Sequence, residues 1–258
     1  MLFYIKYFLL INMILFTIAL PIEAKIIKQE IKNPSLKWLK TDILITWVWI
    51  LNSVYAIKNY IQEYWKPDFI VNIWVCGQKN ENENIFFQVY RIKNISNSKE
   101  ALCPIYIKNL PLLSIACSDK IITQSDEIWN EKFVDMESFW IDFICDKEKI
   151  PYIIIKKPFD VISKGSLKVD KIALEKCLSW FDYHSLIHQI QDFLSINKKE
   201  SFEAIIEDFK KNYRLTFSET EIFKKYINKQ VAFWENQKQI FDFLWELWKK
   251  EFIEIIKK

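Results

Sequence analysis

The sequence predicts an α/β fold with a helical extension at its C-terminal end, and three observations carry that prediction. Short apolar, largely β-branched runs at 13–19, 42–46, 69–73, 113–116 and 152–155 are bounded by polar or turn residues, as buried strands are. Between them stand apolar residues at helical spacing, such as Val54, Ile57 and Ile61, and the run Phe139, Ile141, Phe143 and Ile144. A chain of 258 residues that is 51% hydrophobic has material for one large core, or for a core with a small annex. The expected division is a domain over 13–197 and a helical annex over 198–258.

Residues 1–21 are apolar with one lysine, and Ile22-Glu23-Ala24 loosely imitates a cleavage site, so a signal peptide is one reading. The other is a first buried strand at 13–19, followed by a strand-to-helix turn at 19–24 that holds Glu23. The run at 42–46 reads as a short buried strand, and the helix after it carries Val54, Ile57 and Ile61 on one face. Residues 69–77 read as a strand ending in a turn that contains Trp74 and Gly77. Residues 85–92 and 113–116 are further strands, Ser125 opens a helix, and 170–194 reads as a single amphipathic helix. In the tail, Ile205, Phe209 and Tyr213, then Phe241, Leu244, Trp248 and Phe252, repeat at helical spacing, the pattern of a packing face.

Chemistry concentrates in residues 133–163. Asp135-Met136-Glu137 forms an acidic step before an apolar helical run. Pro151 stops that run, because proline cannot continue a helix and biases the residue before it away from the helical region. A β-branched strand follows at 152–155, and Asp160 stands just past its end. In open α/β sheets ligands sit beyond the carboxyl ends of strands, so Glu137 and Asp160 are expected to converge on one pocket.

The remaining composition narrows the class. A net charge of +3, with Lys and Glu interspersed rather than blocked, gives no basic surface for nucleic acid, and no membrane partner is expected. Five cysteines without a CxxC pair read as free thiols of a reducing compartment, hence a cytoplasmic protein. His184 and His188 are four apart, but no third ligand accompanies them, and neither metal nor cofactor is expected. One feature is abnormal: 2 glycines accompany 11 tryptophans. Together they make about 5% of the chain, close to the glycine share of an average protein, about 7%. Genetic codes exist in which UGA inserts glycine, so some of these tryptophans are candidates for glycine codons read as tryptophan.

The segments Val134-Asp135-Met136-Glu137-Ser138, Pro151-Tyr152-Ile153-Ile154-Ile155 and Phe159-Asp160 resemble the signature of the nucleoside phosphorylase superfamily. Within it they are most similar to the 5′-methylthioadenosine/S-adenosylhomocysteine nucleosidases. The resemblance covers roughly residues 13–196. It implies a three-layer α/β/α domain with a mixed central sheet, and it favours the strand reading of residues 13–19. Family members carry glycine where Trp47, Trp49 and Trp74 stand, since a tight turn there lets backbone amides approach the ligand. From Gly77 to Ser118 the chain is shorter than in typical nucleosidases, which bears on an expected homodimer.

The resemblance also assigns roles. Asp160 is expected to protonate the leaving purine, and Glu23 to hold or deprotonate the attacking water. Glu137 is expected to bond the ribose hydroxyls, with Met136 packed on the sugar, Gly77 in the turn beside the ribose, and Ile121 where the family stacks a phenylalanine on the base. Cleavage of an N-glycosidic bond needs these functions, and carboxylates fill them in glycoside hydrolysis generally. Lys156 and Lys157 would depress Asp160 if they faced it, so their heads are expected to point elsewhere. Pro158-Phe159 precedes Asp160 where the family has a small residue and a serine. The expected activity is a purine nucleosidase acting on an adenosine-type thioether nucleoside, in methionine salvage. Phosphorolysis is the alternative; with two arginines in the chain, and Asn72 where phosphorylases often present one, hydrolysis is preferred. A non-catalytic nucleoside-binding member is the third reading.

Overall fold

In a computed structural model the described residues are 12–31, 39–47, 50–80, 84–107, 109–162 and 170–195, with scattered positions between 207 and 224. The first element is β1 (Asn12–Ile18), followed by α1 (Pro21–Glu30). Then come β2 (Leu39–Ile45), α2 (Ile50–Glu63), β3 (Phe69–Gln78), β4 (Phe87–Asn94), β5 (Glu100–Leu102) and β6 (Leu112–Cys117). A short 3-10 turn (Ser125–Ile128) leads to β7 (Phe133–Asp135), α3 (Ser138–Glu148) and β8 (Tyr152–Val161), and the chain continues through α4 (Lys171–Ser179) and α5 (Tyr183–Ser195). The expected annex over 198–258 lies largely outside the described residues.

The eight strands form one mixed sheet. β2, β1, β3 and β8 run parallel, in that order. β8 then pairs antiparallel with β4, β4 pairs parallel with β6, β6 with β7, and β7 returns antiparallel to β3. The far half of the sheet therefore closes on itself, while β2 and β1 extend from it as an open wing.

Alternation along β1 explains the layers. Ile14, Phe16 and Ile18 join a core with Ile27 of α1 and Tyr183, Leu186, Ile187 and Ile190 of α5. Met13 and Leu15 point the other way, into a core with Ile57 of α2 and Ile141, Ile144 and Cys145 of α3. Successive strand residues face opposite sides, so one apolar strand supplies two cores. Both β1 and β3 are buried on both faces, which is why they read as continuous apolar runs. The three-layer α/β/α arrangement with a mixed sheet is thus the observed fold.

Several boundaries differ from expectation. α1 begins at Pro21, whose fixed φ suits the first helical position, so Glu23 lies in the first turn of the helix rather than in a connecting turn. β2 is an edge strand and only half-buried. β3 does not break at Trp74 but runs on to Gln78, with a register shift between Cys76 and Gly77. β8 is 10 residues long and outruns the expected 152–155: its parallel pairing with β3 carries it through Pro158, so Asp160 lies inside the strand opposite Gly77. The region 170–194 is two helices, not one. Asp170 caps the first by accepting from the Ile172 and Ala173 amides, and a break at 180–182 separates it from the second. The strands β5 and β7, three residues each, have no counterpart in the sequence pattern.

Candidate active site

The carboxyl ends of β1, β3 and β8 face one region, and acidic side chains gather there. Glu23 follows β1, in the first turn of α1; it is 2% exposed, and one carboxyl oxygen accepts the Leu20 amide at 3.1 Å. Glu137 is the N-cap residue of α3, directly after β7, and accepts the Met136 amide at 3.1 Å. Both glutamates thus stand at helix N-termini, where free amides and the helix dipole favour an anion.

A buried lysine organises this cluster. The Lys156 Nζ of β8 lies 2.7 Å from an Asp135 carboxyl oxygen, with both side chains shielded from solvent. It also rests 4.3 Å from the centre of the Trp74 ring. Asp135 in turn accepts the Ser138 amide and hydroxyl, so the start of α3 fixes the carboxylate that holds the lysine. Neither lysine head acts on Asp160, whose carboxyl is raised by burial alone, but Lys156 turns inward onto Asp135. Its neighbours in β8 are buried on both faces, and the only stable place for a buried cation is against an anion. Lys157 does turn aside: its Nζ donates to the Asn84 carbonyl at 2.6 Å and lies over Phe86.

The electrostatics follow from burial. Desolvation lifts the Glu23 carboxyl from 4.5 to about 7, opposed by the Leu20 amide and by the charge of Lys156. Glu137 is raised more, by burial first and then by Asp135 and Glu23, with Lys156 again pulling it down. Glu23 and Glu137 are therefore within electrostatic reach of each other, and Lys156 acts on both. The thiols of Cys76 and Cys117 flank the cluster and are pushed well up by burial, which leaves them as unreactive thiols.

Asp160 is placed differently from the two glutamates. It is exposed, near the end of β8, and partial burial raises its carboxyl above the ordinary value. Its charge is felt at Cys76 together with those of Asp135 and Lys156, which sets it beside the cluster, on the solvent side. Gly77 faces it across the β3–β8 ladder, and a Cβ there would come within 3.1 Å of a Val134 methyl. Met136 is half-buried between Asp135 and Glu137. Ile121 is 46% exposed, and no contact links it to the acidic cluster among the described residues.

Two site residues, Asp135 and Lys156, carry no role in the sequence reading. The available signal is a lysine following the four-residue apolar run Tyr152-Ile153-Ile154-Ile155, a position that has to be compensated if the strand is central. Asn72 is buried, and its amide nitrogen is engaged with Thr17 across β1 and β3. His188 is exposed, and among the described residues no group of three His, Cys, Asp or Glu side chains could hold a metal ion. All five cysteines are free. No helix among the described residues is long and apolar enough to cross a membrane.

No protein-family model matches the sequence, and no curated protein matches it either. The fold, however, matches solved structures of 5′-methylthioadenosine/S-adenosylhomocysteine nucleosidases. The Helicobacter pylori enzyme, complexed with a pyrrolidinol ligand, superposes with a TM-score of 0.57 at 12% identity over 70% of this chain and 99% of that one. The Campylobacter jejuni enzyme gives 0.55 at 14% identity, covering 65% and 94%. A Chlamydia trachomatis nucleosidase, an aspartate-to-asparagine variant bound to MTA, gives 0.51 at 19% identity, covering 69% and 98%. This chain therefore shares the fold of these nucleosidase structures, and the match spans nearly the full length of each of them.

Proposed function

We propose that the protein hydrolyses the N-glycosidic bond of an adenosine-type nucleoside of the methylthioadenosine or S-adenosylhomocysteine kind. The observation that carries this reading is the gathering of Glu23, just past β1, and Glu137, just past β7, around Lys156 of β8. A carboxyl near 7 is divided between its two protonation states at neutral pH, which suits a group that takes a proton from water as it attacks. Lys156 keeps that carboxyl from rising further, so enough of it is ionised to act as a base.

Glu137, equally buried and raised further by the neighbouring Asp135, is the natural partner for ribose hydroxyls, with Met136 against the sugar ring. Asp160, raised above its ordinary value at the solvent side, is the acid for the departing purine. The division of labour matches environment: two carboxyls in a buried pair, and one at the entrance where the base leaves.

Hydrolysis is favoured over phosphorolysis by the cluster itself. It holds three carboxyl groups around one lysine, and that lysine is already paired with Asp135. A phosphate dianion entering there would meet more negative than positive charge. The test is release of free adenine from methylthioadenosine, followed with and without inorganic phosphate. Phosphate-independent release supports the proposal. Strictly phosphate-dependent release replaces it with phosphorolysis, and tight nucleoside binding without release replaces it with a non-catalytic binder. A protein acting in this way takes a small molecule as its substrate; methionine salvage in the cytoplasm and a homodimeric state belong to the same proposal.

A further inference from the structure

We infer that the fold is built on glycine at positions 47 and 129, and that the codons behind the exposed tryptophans 47, 65, 129 and 180 are UGA, inserted as glycine in the source cell. Exposure is the first sign, independent of any catalytic chemistry. Six tryptophans fall among the described residues, and four of them are exposed: Trp47 at 56%, Trp65 at 78%, Trp129 at 46% and Trp180 at 78%. Tryptophan is on average one of the more buried residues, because its large apolar surface gains by leaving water.

The positions of these four have a common character. Trp129 is the C-cap of the 3-10 turn, and Trp180 the C-cap of α4. Trp65 directly follows Tyr64, whose amide closes the last turn of α2 on Tyr60. Helix C-terminal ends are the place where glycine is most enriched.

The backbone is more specific still. The non-glycine residues with positive φ among those described are Trp47, Ser98, Trp129 and Lys149. Tryptophan thus supplies half of a class that normally falls to Asn, Asp and His. Trp129 adopts φ 52° and ψ −119°. Those angles belong to the first central residue of a type II′ turn, a position dominated by glycine because any Cβ there collides with the backbone. Trp47 has φ 59°, at the exit of β2. Trp74 does not carry this inference, since its ring is buried beneath Lys156 in an ordinary strand.

Three measurements decide the matter. Sequencing the gene is expected to show UGA at codons 47 and 129; UGG at either overturns the inference. Mass spectrometry of the protein purified from its own cells is expected to find glycine in the peptides spanning these positions, and tryptophan there overturns it. Denaturant unfolding of Trp129→Gly and Trp129→Ala separates the Cβ from the indole, because both variants lack the ring that Lys93 covers. Relief of a left-handed Cβ is expected to make the unfolding constant of the glycine variant roughly tenfold smaller than that of the alanine variant. The same pair at Trp180, whose φ is −82°, serves as the control and should favour alanine. An alanine variant as stable as the glycine variant at 129 refutes the inference.

Discussion

Replacing Glu23 by glutamine should stabilise the protein and inactivate it at the same time. The folded chain holds this carboxyl at about 7, against an ordinary 4.5, chiefly through burial. Between those two values the folded state binds a proton that the unfolded chain has already released. Stability from this group is therefore greatest below about 4.5 and falls as pH rises through 7, the reverse of a carboxylate held by a salt bridge. The full loss corresponds to about 3 kcal/mol, at roughly 1.4 kcal/mol for each tenfold change in the proton equilibrium. Because the side chain is 2% exposed, solvent screening reduces this little. Glutamine keeps an oxygen for the Leu20 amide and carries no charge to desolvate. Urea unfolding of both proteins at pH 5 and pH 8 measures the effect. The variant should match the parent near pH 5 and exceed it by up to about 3 kcal/mol at pH 8, or roughly 6–12 °C in melting temperature. Adenine release should be lost at both. A variant no more stable than the parent at pH 8, or one with the same gain at both pH values, would refute the reasoning.

Lys156→Met should cost about 3–5 kcal/mol in urea unfolding, because it strands the buried Asp135 carboxylate. Adding Asp135→Asn to that chain should recover part of the loss. Asp160→Asn should lower adenine release by about 10²–10⁴-fold, the usual contribution of a general acid, while the urea midpoint stays unchanged because the side chain is exposed. Asp170→Ala should cost about 1 kcal/mol through loss of the α4 cap, with adenine release unaffected.

The fold was legible where burial on two faces leaves a continuous apolar run. β1, the first half of β3 and the first half of β8 are such runs, and each begins within a residue of its expected place. Glu137 as the start of α3 was legible too, because a polar residue before an apolar periodic run is a local signal. What the pattern hid was set by pairing rather than propensity. Lys156-Lys157-Pro158 looks like the end of a strand, yet the ladder to β3 carries β8 to Val161. β7 is three residues long and exists because β3 and β6 both bond to it. No periodicity can be read from so short an element.

The site was half legible for the same reason. Glu23, Glu137 and Asp160 each stand next to a strand or helix end, and ends can be placed from sequence. Their electrostatic state cannot, because it depends on a side chain that a sequence reading sends to solvent. A lysine is almost never fully buried unless paired, so the general expectation for Lys156 is a head in solvent. The partner that reverses it lies 21 positions earlier in the chain, on β7, and reaches Lys156 only because β3 holds β7 and β8 on its two sides. The charge that tunes Glu23 and Glu137 is thus a consequence of the closed half of the sheet. A variant that loosens the β3–β7 pairing, with all three carboxylates untouched, is expected to raise the pKa of Glu23 and shift the acid limb of the pH–rate profile upward. Gly77→Val is such a change, since even a Cβ at that position approaches Val134 within 3.1 Å. An unshifted acid limb in a folded Gly77→Val protein would show that Lys156 does not set the ionisation of the site.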